Sequence, residues 1–383
     1  MIKVYSDNKI PIKSWVTDIE DSALKQANNL ANLPFAFRHV ALMPDCHQGY
    51  GMPIGGVLAT KDVIIPNAVG VDIGCGMCAI RTSLKEIPTD ELKKIMGYIR
   101  DAIPVGFNHH QTDQDNKLMP LIEKELPIVS AQYNSALKQI GTLGGGNHFI
   151  EIQKGDDGYI WVMIHSGSRN IGKQVADHYN AIAKDMNKKY YSSVPLDQDL
   201  AFLPIGTKQT GQYIDEMKYC VDFALANRKL MMNRVMDIIG FEFFPSEMIN
   251  IAHNYASLEN HFGSNVWVHR KGATLARKGT IGIIPSSQGA KSYIVEGKGN
   301  KDSFESCSHG AGRRMGRKQA ERELDLDAEQ KHLEDMGVIH SVRNKSDLDE
   351  APSAYKDIDV VMDNQKDLVD IMVELTPLGV IKG

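Results

Sequence analysis

The chain has 383 residues, of which 42% are hydrophobic and 24% charged, the composition of a globular protein with enough apolar side chains for a sizeable core. Its formal net charge of −5 excludes a generally basic surface, so a nucleic-acid partner would have to be attracted by a local basic groove or a bound metal. The sequence has no apolar run long enough to span a bilayer and no signal-peptide pattern at its start.

Hydrophobic periodicity divides the chain into helices and strands. Helices are predicted at Ile19–Leu33, Thr89–Ile103, Gly172–Tyr191 and Gln212–Ile239, with a solvated, charged helix within Glu321–Asp335. Short apolar runs predict strands at Val40–Met43, Tyr159–Ile164, Met248–Ala252, Ile281–Ile284 and Val373–Gly383. Since no repeat or low-complexity linker separates these elements, we predict a single large α+β domain over residues 1–383. Mixed or antiparallel sheets would surround a metal site at strand ends, with the helices outside.

The five cysteines bear on the cellular compartment. One is left over from any complete pairing, which predicts reduced thiols and a cytoplasmic protein. Reduced cysteines are then available as metal or site residues.

The glycine-rich segment Asp45–Gly56 lies between two apolar runs and is predicted to be a loop that carries Asp45 and His47. Such a loop lets the backbone approach a ligand closely, but it lacks the spacing and the lysine of a Walker motif. A ligand site and a plain turn are equally compatible with it.

The stretch Ala68–Cys78 places a carboxylate and a thiol three residues apart in a glycine-rich turn. Glycine permits the positive φ of a tight turn, which lets Asp72 and Cys75 point at one spot. A hard oxygen and a soft sulfur together suit a divalent transition metal better than calcium or magnesium. Taken alone, the stretch is more typical of a strand end with a buried, inert Cys75, so the metal prediction depends on histidines elsewhere.

Three histidines repeat this local pattern. His148 follows a run of glycines, whereas His165 and His253 end predicted strands. Together with Asp72 and Cys75 they exceed the needs of one tetrahedral zinc and suit two metals about 3.5–4 Å apart, with Cys75 shared. The donor set is compatible with manganese, zinc, cobalt or iron.

Small residues surround His309 in the run Ser306–Arg314. This run is predicted to open a helix that continues to about Glu323, and the helix start would be an anion site reinforced by Arg313 and Arg314. His309 is therefore predicted to lie in an accessible pocket of its own.

Six of these segments resemble the successive motifs of the RtcB-type RNA-splicing and repair ligases. They are Asp45–Gly51, Val71–Gly76, Gly144–Phe149, His165–Arg169, His253–Tyr255 and Ser306–Arg313. They occur in the family's order and span nearly the whole chain, which makes the set far more specific than any one motif.

The resemblance implies an enzyme that uses GTP and two Mn²⁺ to join an RNA 3′-phosphate or 2′,3′-cyclic phosphate end to a 5′-hydroxyl end, in RNA repair or tRNA splicing. The first metal would be held by Asp72, Cys75 and His148, and the second by Cys75, His165 and His253. His309 would take GMP from GTP as a phosphoramidate and pass it to the RNA 3′-phosphate, from which the 5′-hydroxyl would displace it.

By the same matching, the nucleotide would be held by Asn147, Ser287, Ser292, Ala311 and Gly312. Glu151 and Lys382 would face the guanine edge, Tyr355 would stack on or border the base, and Arg169 and Arg313 would contact phosphates. The resemblance also implies an archease-like activator as a partner.

One departure from the family pattern is the region between Asp72 and His148, which is shorter than in the family's best-known members. This difference bears on RNA-end specificity more than on the ligation chemistry. Two other functions are compatible with the residues: a metal-dependent phosphoesterase that forms no nucleotide adduct, and a non-catalytic RNA-binding or translation-rescue accessory. The complete ligand set and the acidic net charge count against the accessory.

Overall fold

The computed structural model describes residues 1–240 and 247–383. Its helices are α1 (Asp21–Ala31), α2 (Pro66–Val69), α3 (Thr89–Ala102), α4 (Pro127–Gln139), α5 (Arg169–Lys189), α6 (Lys208–Ile239), α7 (Arg317–Glu323), α8 (Leu326–Asp335) and α9 (Ile358–Asp363). The helices predicted from periodicity correspond to α1, α3, α5 and α6, with α8 inside the charged stretch. None of the described helices combines the length and apolar character needed to cross a bilayer.

The strands are β1 (Lys3–Tyr5), β2 (Ile12–Ser14), β3 (Ala36–Tyr50), β4 (Met52–Thr60), β5 (Val63–Ile64), β6 (Gly76–Arg81), β7 (Phe149–Gly155), β8 (Ile160–Ser166), β9 (Leu203–Pro204), β10 (Ile249–Ala252), β11 (Asn254–His261), β12 (Ser264–Lys271), β13 (Ala273–Leu275), β14 (Ile281–Ile284), β15 (Ser292–Gly297), β16 (Ser306–Ser308) and β17 (Val369–Lys382).

Two large sheets are formed by these strands. Within the described ranges, the first has the order β1-β2-β3-β4-β12-β11 and the second has the order β10-β6-β8-β7-β17-β15-β14. The first sheet is mixed, because β2 and β3 pair in parallel, and the second is built from antiparallel pairs. The predicted α+β class is thereby confirmed.

The central strands β6, β7 and β8 of the second sheet are buried on both faces. Along β6, Cys78 and Ile80 pack in the same core as Met231 and Met232 of α6. Met77 and Ala79 of β6 pack in a separate apolar cluster on the opposite face, as the two-residue period of a strand requires. Side chains at the strand ends are therefore held in a rigid frame between two cores.

The prediction of a loop at Asp45–Gly56 is wrong. β3 continues through Asp45 and His47, the chain turns at Gly51 with φ +68, and β4 returns antiparallel. Register shifts interrupt the β3–β4 ladder, and such bulges break the apolar alternation by which a strand is recognised in a sequence.

The prediction that a helix opens at Ser306–Arg314 is also wrong. Ser306–Ser308 form β16, which pairs with β13, and α7 begins only at Arg317. Gly312 takes φ +76, which interrupts any helical path. His309 therefore lies at a strand end, and the predicted helix-start anion site beside it does not form.

Candidate metal centre and adjoining cavity

Four adjacent strands of the second sheet bring the predicted metal ligands to one edge. Cys75 immediately precedes β6, His148 precedes β7, His165 lies near the end of β8, and His253 follows β10. The antiparallel register pairs Gly76 with Ser166 and with Ala252, and Phe149 with His165. Residues that are far apart in the chain thus share one end of the sheet because neighbouring strands run in opposite directions.

Cys75, His148 and His165 form a buried cluster whose ligand atoms lie within 4.8 Å of one another. The Cys75 Sγ is 3.4 Å from His148 Nε2 and 3.3 Å from His165 Nε2. A thiol between two imidazole nitrogens is a donor set suited to a divalent transition metal.

Backbone carbonyls fix the orientation of two of these imidazoles. His148 Nδ1 donates to the Leu143 carbonyl at 3.0 Å, and His165 Nδ1 donates to the Asn147 carbonyl at 3.1 Å. The lone pairs of both rings are then on Nε2, the atoms that face Cys75.

Asp72 completes one side of the cluster. Its Oδ2 is 3.3 Å from His148 Nε2, and its carboxyl group lies directly over Gly167, where any side chain would collide with it. Removal from water raises the pKa of Asp72, but its contacts with His148 and Cys75 and the charge of the Arg169 guanidinium outweigh that effect and lower it to about 2. The carboxyl is therefore an anionic oxygen donor at neutral pH.

His253 extends the cluster on the other side. Its ring centroid is 5.2 Å from that of His165, and its backbone amide donates to the Cys75 carbonyl at 2.8 Å. Among the described residues its buried Nδ1 has no hydrogen-bond partner, which is unusual for a buried polar atom. A metal ligand site would account for that orphaned nitrogen.

The protonation states suit metal binding. Burial lowers the pKa of His148 and holds the pKa values of His165 and His253 well below their ordinary range, so all three imidazoles are neutral. Burial and the neighbouring Asp72 raise the pKa of the Cys75 thiol well above its ordinary value. A bound cation would be needed to hold this thiol as the thiolate that metals prefer.

His309 lies beside the cluster, with its ring centroid 4.8 Å from that of His253. Its Nδ1 is 2.5 Å from Asp45 Oδ2, and that oxygen also accepts the backbone amides of His309 and Gly310 at 3.1 and 3.3 Å. The carboxylate keeps the ring proton on Nδ1, which leaves the Nε2 lone pair free to act as a nucleophile.

A cavity of about 430 Å³ opens next to His309. It is lined by many of the residues predicted to hold a nucleotide, namely Asn147, Glu151, Ser287, Ala311, Gly312, Arg313, Tyr355 and Lys382. His165 also lines it, so the cavity borders the metal cluster. Its volume is in the range of small-molecule sites.

Two predicted residues lie elsewhere. Within the described chain, Ser292 is outside the cavity lining, and its buried hydroxyl accepts the Ser286 amide at 3.3 Å. Arg169 is also outside that lining and packs over Gly144, with Nη1 3.1 Å from His148 Nδ1. Ser292 thus supports the turn at the cavity wall, and Arg169 lies beside the metal ligands.

Glu350 forms ion pairs with the three cationic side chains that line the cavity. Its carboxylate lies 3.1 Å from Arg313, 3.3 Å from Arg317 and 3.6 Å from Lys382, and it accepts the Tyr355 hydroxyl. The Arg313 guanidinium also lies over the Tyr355 ring at 5.0 Å. The cationic side chains that line the cavity therefore all pair with one carboxylate.

Glu151 also lines the cavity and lies on β7, where Val380 of β17 is its register partner. Burial raises its pKa to about 8, although the charge of Lys382 and a hydrogen bond from Gln153 act in the other direction. A buried carboxyl facing a cavity is a group whose ionisation depends on what binds there.

Comparison with known proteins identifies the family. A sequence model described as tRNA-splicing ligase RtcB matches residues 26–132 and 121–383. The RNA-splicing ligase RtcB of Escherichia coli (strain K12) is 38% identical over 405 residues, covering 97% of both chains. The tRNA-splicing ligase RtcB of Thermococcus kodakarensis is 32% identical, covering 100% of this chain and 94% of its own, and that of Pyrobaculum aerophilum is 31% identical, covering 98% and 95%.

The chain belongs to the RtcB family. The resemblance inferred from six sequence motifs is therefore confirmed, and it extends over nearly the full length of the relatives. Membership and the cluster of Cys75, His148 and His165 together support a metal cofactor.

Asp45 was not among the predicted functional residues of this RtcB-family site. Asp45 is fully buried and is the hydrogen-bond partner of His309. Its signal in the sequence was the glycine-rich segment Asp45–Gly56. Within that segment, a side chain at Gly55 would lie 3.0 Å from the Asp45 carboxylate. A side chain at Gly312, on the His309 side of the contact, would collide with the Asp45 backbone.

Proposed function

We propose that the chain is an RNA ligase that uses GTP and Mn²⁺ to join RNA 3′-phosphate or 2′,3′-cyclic phosphate ends to 5′-hydroxyl ends, in RNA repair or tRNA splicing. The observation that carries this proposal is the position of His309, which contacts His253 on one side and lines the cavity on the other. Relatives named RNA-splicing or tRNA-splicing ligases support it.

His309 is the proposed nucleophile. Attack by its Nε2 on the α-phosphorus of GTP would form a phosphorus–nitrogen bond to GMP and release pyrophosphate. The GMP would then pass to the RNA 3′-phosphate, which would free His309. Attack by the 5′-hydroxyl on that activated 3′-end would form the phosphodiester and release GMP.

Asp45 would serve the first step by holding the imidazole. Its hydrogen bond to Nδ1 fixes the ring direction and stabilises the positive charge that develops on the ring as Nε2 attacks. The two backbone amides that bond the same oxygen keep the carboxylate itself in place.

Two Mn²⁺ are the proposed cofactors. One would be held by Asp72, Cys75 and His148, and the other by Cys75, His165 and His253. Bound there, they would offset the negative charge of the triphosphate and of the phosphoryl group in transfer. The neutral imidazoles, the anionic Asp72 and the shared thiol support this donor set.

The cavity is the proposed guanosine site. Asn147, Ser287, Ala311 and Gly312 line it close to His309 and would hold the nucleotide, with Ser292 behind the turn. Glu151 would accept hydrogen bonds from the guanine edge, with Lys382 beside it and Tyr355 at the base. A carboxylate that accepts two N–H bonds distinguishes guanine from adenine.

Arg169 and Arg313 remain candidates for phosphate contacts, and an archease-like protein remains the proposed activator. The proposal also includes one catalytic domain over residues 1–383 acting in the cytoplasm. The phosphate contacts and the activator rest on the family resemblance, the single domain on the lack of a separating linker in the sequence, and the location on the odd number of cysteines.

The test is covalent labelling. Full-length protein incubated with Mn²⁺ and GTP labelled at the α-phosphate should acquire label that acid removes, as a phosphoramidate requires. His309→Ala should abolish the label, whereas His178→Ala, which changes an exposed histidine of α5, should retain it.

Label that survives in His309→Ala would contradict the assigned nucleophile. An active preparation that releases phosphate from RNA ends without ever becoming labelled would contradict the ligase and support the phosphoesterase. RNA binding without joining of defined ends would support the accessory function.

A further inference from the structure

Two fully buried polar residues interrupt the apolar face of α6. Asn227 and Arg228 are 0% exposed, and the same face carries Phe223, Ala224 and Met231. Neither takes part in the mechanism proposed above. A buried guanidinium is costly unless hydrogen bonds replace its water, so its partners indicate its role.

Arg228 reaches the backbone of three ligand-bearing segments. It donates to the carbonyls of Ser166 (2.8 Å), Gly74 (3.1 Å) and Ile251 (3.2 Å) and to the Asn250 side chain (2.8 Å). Gly74 immediately precedes Cys75, and Ser166 immediately follows His165. Ile251 lies two residues before the third ligand, His253. One planar group thus ties together three strand ends that carry metal ligands.

Asn227 reaches the fourth segment. Its Oδ1 accepts the amides of Gly141 and Thr142 at 2.7 and 3.2 Å, and its Nδ2 donates to Ser166 Oγ and the Gly167 carbonyl, both at 3.2 Å. Gly141 and Thr142 begin the glycine-rich turn that leads to His148.

A relay connects Asn227 to the His148 ring itself. The Ser166 hydroxyl, which accepts from Asn227, donates to the Leu143 carbonyl at 2.7 Å. That same carbonyl accepts His148 Nδ1 at 3.0 Å. The amide of Asn227 therefore helps to place the acceptor that fixes the tautomer of a metal ligand.

The loop that carries Asp72 and Cys75 packs directly against α6. Gly74 has φ +76, and a Cβ there would lie 2.8 Å from Val221 Cα and 2.9 Å from the Cys220 carbonyl. Only glycine permits this approach, which brings the loop within reach of Arg228.

We propose that Asn227 and Arg228 are positioning residues that set the spacing of the metal ligands from a single helix. The inference rests on the metal role proposed above for the cluster of Cys75 and the three histidines. Arg228 suits the task because its rigid planar fork makes four hydrogen bonds in fixed directions, whereas a lysine ammonium has three donors on a freely rotating head.

The experiment measures metal binding rather than activity. Full-length Arg228→Lys and Asn227→Asp are stripped of metal and titrated calorimetrically with Mn²⁺, and the absorption spectrum of each protein is recorded with Co²⁺. Arg228→Lys retains the charge but loses the fork, and Asn227→Asp retains the acceptor but loses the donor. Each should bind Mn²⁺ about 10- to 100-fold more weakly, with altered cobalt bands.

Asn187→Asp is the matched control. Asn187 is a buried residue of α5 whose side chain accepts the Phe202 backbone amide and donates to the Phe202 carbonyl, away from the ligand segments. The same change there should lower the melting temperature while Mn²⁺ affinity and the cobalt spectrum stay at wild-type values. A loss of metal binding in Asn187→Asp equal to that in Asn227→Asp would assign the effect to general stability and overturn the proposal.

Should either α6 variant fail to fold, Ser166→Ala tests the relay by removing one hydroxyl, and it should also weaken Mn²⁺ binding. Wild-type affinity and an unchanged cobalt spectrum in the folded variants would overturn this inference alone, because the wild type would still bind metal. A wild-type protein that binds no Mn²⁺ would overturn the proposed metal role and this inference with it.

Discussion

The metal cluster and the cavity beside it are held in different ways. At the cluster, backbone carbonyls fix His148 and His165. At the cavity, the cationic side chains of Arg313, Arg317 and Lys382 all pair with another side chain, Glu350. Within the described residues, Arg313 alone of the three also donates to backbone carbonyls, those of Met315 and Asp349. Backbone-held groups keep their positions when a ligand arrives, whereas ion pairs can exchange one anion for another. The side chains of the candidate metal cluster are therefore preorganised, whereas Arg317 and Lys382 can exchange the Glu350 carboxylate for an incoming anion.

The largest effect on metal content and activity is expected at Cys75. Since Cys75 Sγ lies between two ligand imidazoles, Cys75→Ala should reduce the metal content of the protein to near zero and abolish ligation. His148→Ala should mainly weaken one of the two metals. Elemental analysis after dialysis against Mn²⁺ measures the number of ions bound per chain.

Cys78→Ala is the control for that measurement. Cys78 is buried among apolar residues on the side of β6 that faces α6. Its replacement should lower the free energy of unfolding by about 1 kcal/mol and leave the metal content unchanged. One full equivalent of Mn²⁺ retained by Cys75→Ala would show that the thiol is not shared between two ions.

The next effect is expected at Asp45, on the border between the two regions. Asp45→Asn replaces the acceptor of His309 Nδ1–H by an amide that can hold the wrong tautomer, so the rate of GMP transfer to the protein should fall by about 10²- to 10⁴-fold. Mn²⁺ affinity should not change, because Asp45 contacts His309 rather than the cluster. Rapid-quench labelling and calorimetry measure the two quantities.

Asp302→Asn provides the comparison for Asp45→Asn, since Asp302 is a half-exposed carboxylate that pairs with Lys13. It should leave labelling unchanged. If Asp45→Asn lowered Mn²⁺ affinity by as large a factor as it lowered the labelling rate, Asp45 would act on the metal cluster as well as on His309. That result would contradict the assignment of Asp45 to His309 alone.

The smallest effect is a pH dependence inside the cavity. Burial raises the pKa of Glu151 from 4.5 to about 8, so the free protein holds this carboxyl protonated at neutral pH. If guanine binds to the carboxylate form, GTP affinity should rise with pH by up to about tenfold per unit below 8 and then level off. Calorimetry on His309→Ala, in which no transfer follows, measures it.

Glu151→Gln should bind GTP more weakly and with a flat pH profile, which is the control for that trend. The effect of pH on the stability of the fold has the opposite sign to its effect on GTP affinity. Because the folded-state pKa exceeds the unfolded value, the contribution of Glu151 to the free energy of unfolding should fall as pH rises from 4.5 towards 8. GTP affinity that is independent of pH in the His309→Ala background would contradict the carboxylate contact.

The residues of the candidate metal cluster could be singled out from the sequence because their signals are local. A glycine-rich turn or a strand end precedes each of them, and these features are visible in a few residues of sequence. The strand order that brings them together is not local. It depends on the register of β10, β6, β8 and β7, which no short window contains.

The residues that were missed depend on partners far along the chain. Asp45 lies in a bulged strand whose alternation is broken, so its segment was predicted as a loop. Asn227 and Arg228 lie within the apolar face of α6, and only the contacts of these two side chains show their link to the ligand loops. The run after His309 lacks a helix because Gly312 requires a positive φ to pass Asp45.

The bond between His309 and Asp45 joins residues 264 positions apart in the chain. During synthesis the N-terminal hairpin that carries Asp45 is complete long before β16 leaves the ribosome. The imidazole therefore acquires its fixed tautomer only when the end of the chain returns to the first sheet. A chain that ends before β16 lacks His309 itself, so under the proposed function the capture of GMP would require a part of the chain that is synthesised late.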